Sequence, residues 1–316
     1  MTTSVSVNRE PYRQRAFALT PDPAFLYLGQ SHRAALEGLH RGVQEGAAFM
    51  VLTGEVGTGK TTILRALCKE LPERVTTAFV VNPSLSFPDI LYTLVSDLGQ
   101  EPTSMRKADL LADFARLLLT ANAGGHSVLV IVDEAQHLSP PVVDDLLMLA
   151  NMETDASKLV HFVLAGQPEL AAMLERPEVQ RLRRRVGVQT ALRPLTRAET
   201  AAYIDHRLRS ACVSAACRFT ADAVDRIFEL SEGVPRIINH VCQAALEAGH
   251  LAGTSVIRPD LVDAGSPELV ARTDVIEDVA PRRRVRTIVR VAEVTVLAIL
   301  VTILGLALAF VPRGMP

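Results

Sequence analysis

One eight-residue motif constrains this chain more than any other feature. Residues 54–61 read GEVGTGKT and match G-x-x-x-x-G-K-[ST] in full. The apolar run AAFMVLT before the motif predicts a buried strand, and KTTILRALCKEL after it predicts a helix with one apolar face. Strand, glycine loop and helix in this order form a loop whose backbone N–H groups surround phosphate at a helix N-terminus. We therefore expect a phosphate-binding loop here.

The motif also assigns individual roles within the loop. Lys60 is expected to reach the β- and γ-phosphates of a bound nucleotide, and the Thr61 hydroxyl is expected to ligate Mg²⁺. The glycines allow the backbone to turn its N–H groups inward. The predicted nucleotide-binding residues are Gly54, Glu55, Val56, Gly57, Thr58, Gly59, Lys60, Thr61 and Thr62.

Two carboxylates follow a second apolar run. Residues 128–138 read VLVIVDEAQHL, which predicts a fully buried strand that ends at Asp133 and Glu134. Ligands of open α/β sheets bind at the carboxyl ends of the strands. We expect Asp133 to hold Mg²⁺ through water and Glu134 to polarise the attacking water. His137 is an alternative base, but a solvated or structural role suits it better.

The rest of the first 195 residues alternates between strand and helix patterns, which indicates a parallel sheet of five strands in an α/β fold. The helix over 169–185 is expected to break or kink at Pro177. The other predicted strands cover 76–82, 158–166 and 186–195, and the other predicted helices cover 87–99, 107–121 and 140–152.

After Pro194 we expect helices only. Thr196 to Glu199 reads T-x-x-E, a capping-box pattern that predicts a helix start. Helical patterns then follow from 196, 221 and 235. We therefore predict a nucleotide-binding α/β domain over 1–195 and a helical lid over 196–264, the AAA+ layout of P-loop NTPases.

The last fifty residues predict a membrane anchor. Val294–Val311 is 18 residues long without a charge, about 27 Å as a helix and close to the thickness of a bilayer core. The alternative is a buried core helix. We predict a linker and basic juxtamembrane segment over 265–290 and a transmembrane helix over 291–312. Five arginines precede the run, at 282, 283, 284, 286 and 290, and only Arg313 follows it. This bias places the long N-terminal part in the cytoplasm and brings arginines to the membrane lipid.

The chain resembles the ExeA/GspA-type AAA+ ATPases of bacterial secretion systems. The resemblance covers about residues 15–260. It rests on FALTPDPAFLYLGQSHRAAL (17–36), LTGEVGTGKTT (52–62), IVDEAQHL (131–138), LAGQPEL (164–170), LRPLTRAETAAYIDHRL (192–208) and SEGVPRIINHVCQAAL (231–246). It implies ATP as the nucleotide, since no guanine-reading N-K-x-D motif follows the loop, and a homo-oligomer as the assembly.

The resemblance implies three further site residues. Gln167 follows a predicted strand where a polar sensor would lie near the γ-phosphate, and Arg236 matches the lid arginine that contacts phosphate. One arginine of RLRRR (181–185) is implied to reach the phosphate of a neighbouring subunit. Arg185 is the first choice, with Arg181 and Arg184 as alternatives.

Composition narrows the function classes. The net charge of −2 and an aromatic content of 4% speak against a protein that coats nucleic acid.

We expect a single-pass inner-membrane ATPase that drives or regulates assembly of a secretion or envelope export machine, together with another inner-membrane or secretion protein. The alternatives are an ATPase or scaffold of exopolysaccharide export and, less favoured, a transposition regulator of the TniB or TnsC kind.

Overall fold

A computed structural model of the protein describes residues 16–18, 25–154, 158–211 and 217–269. All but the last three of these residues belong to one compact unit that ends at Ser266. The predicted membrane helix over 291–312 and its flanking arginines lie outside the described residues. None of the helices within the described ranges is both long enough and apolar enough to cross a membrane.

A parallel five-stranded sheet forms the centre of this unit, as the strand–helix alternation predicts. The strand order is β2-β3-β4-β1-β5, and every pairing in it is parallel. The strands are β1 (Phe49–Thr53), β2 (Val75–Val80), β3 (Ser127–Val132), β4 (Val160–Gly166) and β5 (Val186–Ala191). The helices around them are α1 (Gln30–Gln44), α2 (Lys60–Glu70), α3 (Phe87–Asp97), α4 (Lys107–Ala123), α5 (Pro140–Leu149), α6 (Pro168–Leu174) and α7 (Gln180–Arg183).

Both faces of the sheet are covered, which explains the continuous apolar runs of its inner strands. In β1 every residue is buried. Phe49 and Val51 pack into a cluster with α3, α4 and α5, and the Phe49 ring stacks on Phe162 of β4 at 5.0 Å. Met50 and Leu52 point to the other face and pack against α1 and α2. The helix that follows the glycine loop is therefore held against the sheet directly behind that loop.

The predicted break at Pro177 is confirmed. α6 ends at Leu174, a 3₁₀ turn covers Pro177–Val179, and α7 begins at Gln180. Proline has no backbone N–H and cannot continue the helical hydrogen bonds, so the arginines that follow it lie on a separate short helix before β5.

A helical subdomain follows β5, and its capping box is confirmed. The Thr196 hydroxyl accepts from the Glu199 backbone N–H at 3.2 Å, and the Glu199 carboxylate accepts from the Thr196 backbone N–H at 2.9 Å. The helices of this subdomain are α8 (Arg197–Ser210), α9 (Ala221–Ser231), α10 (Pro235–Leu251) and α11 (Pro259–Gly265).

The expectation that strands stop after Pro194 is wrong. Arg218–Phe219 (β6) and Val256–Ile257 (β7) form a small parallel pair within the helical subdomain. The Arg218 N–H donates to Ser255 O and the Thr220 N–H donates to Ile257 O. Two-residue strands are too short to leave a periodic pattern in the sequence.

Candidate functional site

The site lies at the carboxyl edge of the central sheet. β1 leads into residues 54–61, β3 ends before Asp133 and Glu134, and β4 ends before Gln167. Because β4 lies between β1 and β3, these three segments meet at one edge, where open α/β sheets bind ligands. The structure thus brings together the loop, the two carboxylates and the amide that the sequence predicts.

The loop conformation depends on its glycines. Gly57 and Gly59 have φ values of 85° and 104°, a region that other residues rarely adopt. A Cβ on Gly54 would lie 2.7 Å from the Thr58 hydroxyl, and a Cβ on Gly57 would lie 2.7 Å from Arg236 Cβ. The Thr58 hydroxyl donates to Glu55 O at 2.7 Å, which closes the loop on itself.

Lys60 is a buried cation within the glycine loop. Its side chain is 7% exposed, and Nζ donates to Gly54 O at 2.7 Å and to Glu55 O at 3.3 Å. No carboxylate among the described residues lies within 4.0 Å of this ammonium. A buried ammonium that makes hydrogen bonds but no ion pair is costly unless an anion joins it, so the loop fits a phosphate ligand.

Oxygen donors suited to Mg²⁺ lie beside the lysine. The Thr61 hydroxyl donates to Asp133 Oδ2 at 3.5 Å, and the other Asp133 oxygen accepts from the Glu134 N–H at 2.9 Å. A hydroxyl and a carboxylate are hard oxygen ligands of the kind Mg²⁺ uses when phosphates and waters complete its shell. In the described ranges, no group of three or more His, Cys, Asp or Glu side chains could bind a metal.

Glu134 is held by two amides. Its Oε2 accepts from Gln136 Nε2 at 2.6 Å and from Gln167 Nε2 at 3.2 Å. The Gln136 hydrogen bond lowers the pKa of Glu134 against the opposing effect of burial, with smaller contributions from Gln167, Lys60 and His137. Glu134 is therefore ionised at neutral pH. His137, the alternative base, is exposed.

Gln136 is a site residue that the sequence reasoning missed. Besides donating to Glu134, its Oε1 accepts from the Gln167 backbone N–H at 3.2 Å and so links β3 to β4. A Cβ on Gly166 would lie 2.4 Å from this oxygen, so a larger residue at that position would displace the Gln136 amide from its present contacts. The signal was available, because Gln136 stands two residues after Glu134 within IVDEAQHL.

A cavity of about 1130 Å³ opens over the loop. Its floor is the glycine loop with Asp133 and Glu134, and its walls come from the N-terminal segment and from the helical subdomain. The volume exceeds the roughly 300–1,000 Å³ of common small-molecule sites. The wall residues include Phe25, Tyr27, Tyr203, Arg207, Arg236 and Asn239.

Two arginines of the helical subdomain face this cavity in different ways. The Arg236 backbone N–H donates to Gly57 O at 3.3 Å, while its exposed guanidinium has no hydrogen bond or ion pair among the described residues. The buried Arg207 guanidinium donates to Ala16 O and Ala18 O and lies 4.8 Å from the Phe25 ring centre. Arg236 is thus free to contact a ligand, whereas Arg207 ties the N-terminal segment to α8.

The arginines of 181–185 lie on the surface, and only one of them is without a polar partner among the described residues. Arg181 pairs with Asp144 at 3.0 Å, Arg183 pairs with Glu175 at 2.6 Å, and Arg185 donates to Asn151 Oδ1. Arg184 makes no hydrogen bond or ion pair with the described part of the chain.

Comparison with known proteins first gives the class. Residues 43–174 match the family described as AAA domain, and this range contains the loop, both carboxylates and the glutamines that hold Glu134. Together with the sheet order, the match defines a P-loop nucleotide-binding protein with an AAA domain.

One relative that matches three quarters of this chain is named as a protein of the general secretion pathway. The chain is 41% identical over 243 residues to General secretion pathway protein A of Aeromonas hydrophila. The matched region covers 76% of this chain and 44% of that protein. The predicted resemblance to proteins of this type is confirmed. The chain spans less than half the length of that curated relative.

Solved structures share the fold at low identity. The ORC2 protein of Aeropyrum pernix, in its ADPNP–ADP complexes, matches with a TM-score of 0.61 and 20% identity over 81% of this chain and 71% of that one. CDC6P of Pyrobaculum aerophilum matches with a TM-score of 0.63 and 17% identity over 80% and 70%. Drosophila ORC bound to DNA matches with a TM-score of 0.63 and 17% identity over 90% and 71%.

Proposed function

We propose that this protein hydrolyses ATP in a Mg²⁺-dependent reaction. The observation that carries the proposal is the buried Lys60 ammonium, which donates to two backbone carbonyls and to no carboxylate among the described residues, close to a carboxylate kept ionised by two amides. Lys60 binds and orients the phosphates, and Glu134 orients and polarises the attacking water. Thr61 and Asp133 would hold Mg²⁺, which when bound supplies charge neutralisation at the phosphate oxygens.

Two further residues are proposed to sense the nucleotide. Gln167 donates to Glu134, so a phosphate that competes for this amide would release one of the two donors that hold the carboxylate. Arg236 lies over Gly57, and its guanidinium has no polar partner in the part of the chain that the structure describes. Contact of this guanidinium with phosphate would couple the nucleotide to the position of α10.

The experiment is phosphate release by the full-length chain with ATP and Mg²⁺. Lys60→Ala removes the buried ammonium and should abolish tight nucleotide binding and turnover. Lys107→Ala is the control, because Lys107 is an exposed lysine on α4 that does not line the cavity. Turnover by Lys60→Ala at the wild-type rate would exclude the loop as the reaction site.

We further propose that the protein acts as a homo-oligomer in which an arginine reaches the neighbouring site. The sequence favours Arg185, but the side-chain contacts favour Arg184. Arg181, Arg183 and Arg185 would each have to leave a polar partner, whereas Arg184 would not. We therefore place Arg184 ahead of Arg185 for this role.

We propose a single-pass inner-membrane location with the AAA domain in the cytoplasm, and a role in driving or regulating a secretion or envelope export machine with a membrane partner. The uncharged run over 294–311, its preceding arginines and the name of the Aeromonas relative support this. Exopolysaccharide export is the alternative machine.

The membrane part of this proposal has its own test. Carbonate extraction should leave the full chain in the membrane pellet, and a reporter active only outside the cytoplasm should work at the C-terminus and stay silent at the N-terminus. Release into the supernatant, or the reverse reporter pattern, would contradict the anchor or its orientation.

We do not expect nucleic acid as a partner. One structural relative is described as bound to DNA, but at 17% identity this likeness concerns the fold. The net charge of −2 also gives little attraction to a phosphate backbone. DNA that shifted the protein in a gel and stimulated its ATPase at physiological salt would restore the transposition-regulator alternative.

A further inference from the structure

A side chain from outside the glycine loop binds the backbone in the middle of that loop. His32 lies in the first turn of α1, and its Nε2 is 2.8 Å from Thr58 O. Both residues are buried, with His32 4% exposed and Thr58 fully enclosed. A Cβ on Gly59 would lie 3.4 Å from the same nitrogen, so the imidazole packs directly against the loop.

The chemistry of the contact fixes its direction. A carbonyl oxygen only accepts hydrogen bonds, so Nε2 carries the proton and donates it. Burial lowers the pKa of His32, against the opposing effects of the Thr58 contact and Glu199, which favours the neutral ring at pH 7. In that form Nδ1 is a bare acceptor, and it has no partner among the described residues. A buried acceptor without a partner destabilises the fold, and a leucine here would avoid that cost.

The start of α1, where His32 lies, is anchored by the helical subdomain. Glu199 of α8 accepts from the Gln30 backbone N–H at 2.6 Å, at the first residue of α1. The same carboxylate caps α8 through Thr196. One side chain therefore anchors the starts of both helices, and His32 follows two residues after Gln30.

The hydrogen bond determines where one loop N–H points. In a trans peptide the C=O and N–H groups point to opposite sides, and no cis peptide occurs among the described residues. With Thr58 O directed at His32, the Gly59 N–H is directed away from His32. Glycine adopts positive and negative φ with similar ease, so the backbone at Gly59 itself resists rotation of this peptide only weakly.

We propose that His32 is a positioning residue of the phosphate-binding loop. Its ring N–H holds the Thr58 carbonyl out of the cradle, which directs the Gly59 N–H toward the bound phosphates. The role rests on the proposed nucleotide binding by residues 54–62. Loss of the donor allows the 58–59 peptide to rotate and present a carbonyl oxygen to phosphate instead of an N–H.

The test is ADP affinity, measured by calorimetry on the full-length chain. His32→Leu keeps the bulk and removes the donor, and should weaken ADP binding about tenfold or more, the usual scale for a hydrogen bond to a charged group. His32→Gln places an amide N–H near the ring Nε2 position and should restore affinity to within a few-fold. His40→Leu is the matched control on the same helix, where the imidazole contacts Glu70 at the surface, and should leave affinity unchanged.

The kinetic constants KM and kcat distinguish a positioning role of His32 from a general loss of structure. His32→Leu should raise KM for ATP by a factor similar to its loss of ADP affinity, with kcat within a few-fold of wild type. If His32→Leu does not fold, His32→Asn replaces it, because its shorter amide does not reach Thr58 O. Two results would overturn the proposed role of the His32 ring N–H but leave the proposed nucleotide binding intact. They are wild-type ADP affinity in His32→Leu, and equal losses of affinity in His32→Gln and His32→Leu. A wild-type chain that binds no ADP would overturn the proposed function as well.

Discussion

Glu134 has a backbone that its residue type seldom adopts. Its φ of 51° lies in the left-handed region, which costs a residue other than glycine about 1–3 kcal/mol. Three hydrogen bonds hold it there: its N–H donates to Asp133, and its carboxylate accepts from Gln136 and Gln167. Strain of this kind is tolerated where the surroundings fix a side chain for chemistry, in keeping with the catalytic role proposed for this carboxylate.

Glu134→Gln should bind ATP but stall hydrolysis. The amide keeps the shape of the side chain and loses the negative charge that polarises water, so we expect kcat to fall by about 10²–10⁴. Glu232→Gln is the matched control, because Glu232 also has a positive φ of 49° and lies outside the cavity. Phosphate release and ATP affinity give the two readouts, and wild-type turnover in Glu134→Gln would refute the assignment.

Whether a site residue can be predicted from sequence depends on how far along the chain its contact partners stand. Lys60, Thr61, Asp133 and Glu134 stand in short motifs beside strand ends, so pattern alone locates them. The contact between His32 and Thr58 joins residues 26 positions apart. It depends on how α1 packs against α2 and the sheet, and no local pattern encodes that packing.

The turn between α9 and α10 joins the helical subdomain to the end of the α/β domain. The Leu195 N–H donates to Gly233 O at 2.8 Å, and the Arg236 N–H donates to Gly57 O at 3.3 Å. The same short segment therefore contacts both the chain after β5 and the glycine loop. The sequence predicts both helices here but not this contact, because a turn of three residues has no periodicity.

Gly233→Ala should be strongly destabilising. Gly233 has a φ of 76°, and a Cβ would lie 1.9 Å from Leu195 O, a backbone atom that cannot rotate away. We expect a loss of about 3 kcal/mol or more in the free energy of unfolding. Gly253→Ala is the control, since its φ is 67° but no atom of the described residues lies within 4 Å of the added carbon; it should cost about 1–2 kcal/mol. Urea unfolding measures both, and equal losses would contradict the clash.

At the scale of the whole molecule, the cavity is lined by parts of one compact unit that lie far apart in the chain. The N-terminal segment, the glycine loop, the acidic strand end and the helical subdomain all contribute. The sequence predicts the order of these parts because α/β alternation and the helix patterns are local signals. The N-terminal wall was less predictable, since it depends on Arg207 binding Ala16 and Ala18 from about 190 residues away.

Contact between subunits should control the ATPase activity. An arginine that acts on a neighbouring site makes activity depend on subunit contact, and in related NTPases such a residue contributes about 10³–10⁵ in rate. The hydrolysis rate of the full chain in detergent or bilayer should therefore rise more than linearly with its concentration, so that its specific activity increases. Arg184→Ala and Lys60→Ala should each be nearly inactive alone.

A mixture of these two variants should recover part of the activity. The Arg184→Ala subunit keeps its glycine loop, the Lys60→Ala subunit keeps its arginine, and one complete site forms wherever the two meet in the right order. Arg185→Ala provides the comparison, since its guanidinium donates to Asn151 within its own subunit, and we expect it to stay closer to wild type. If Arg185→Ala is the inactive variant and the one rescued by Lys60→Ala, Arg185 is the acting arginine, as the sequence first indicated. If neither mixture recovers activity although the variants co-assemble, Arg181 is the next candidate, and failure of the same mixture with Arg181→Ala would contradict the role proposed for these arginines.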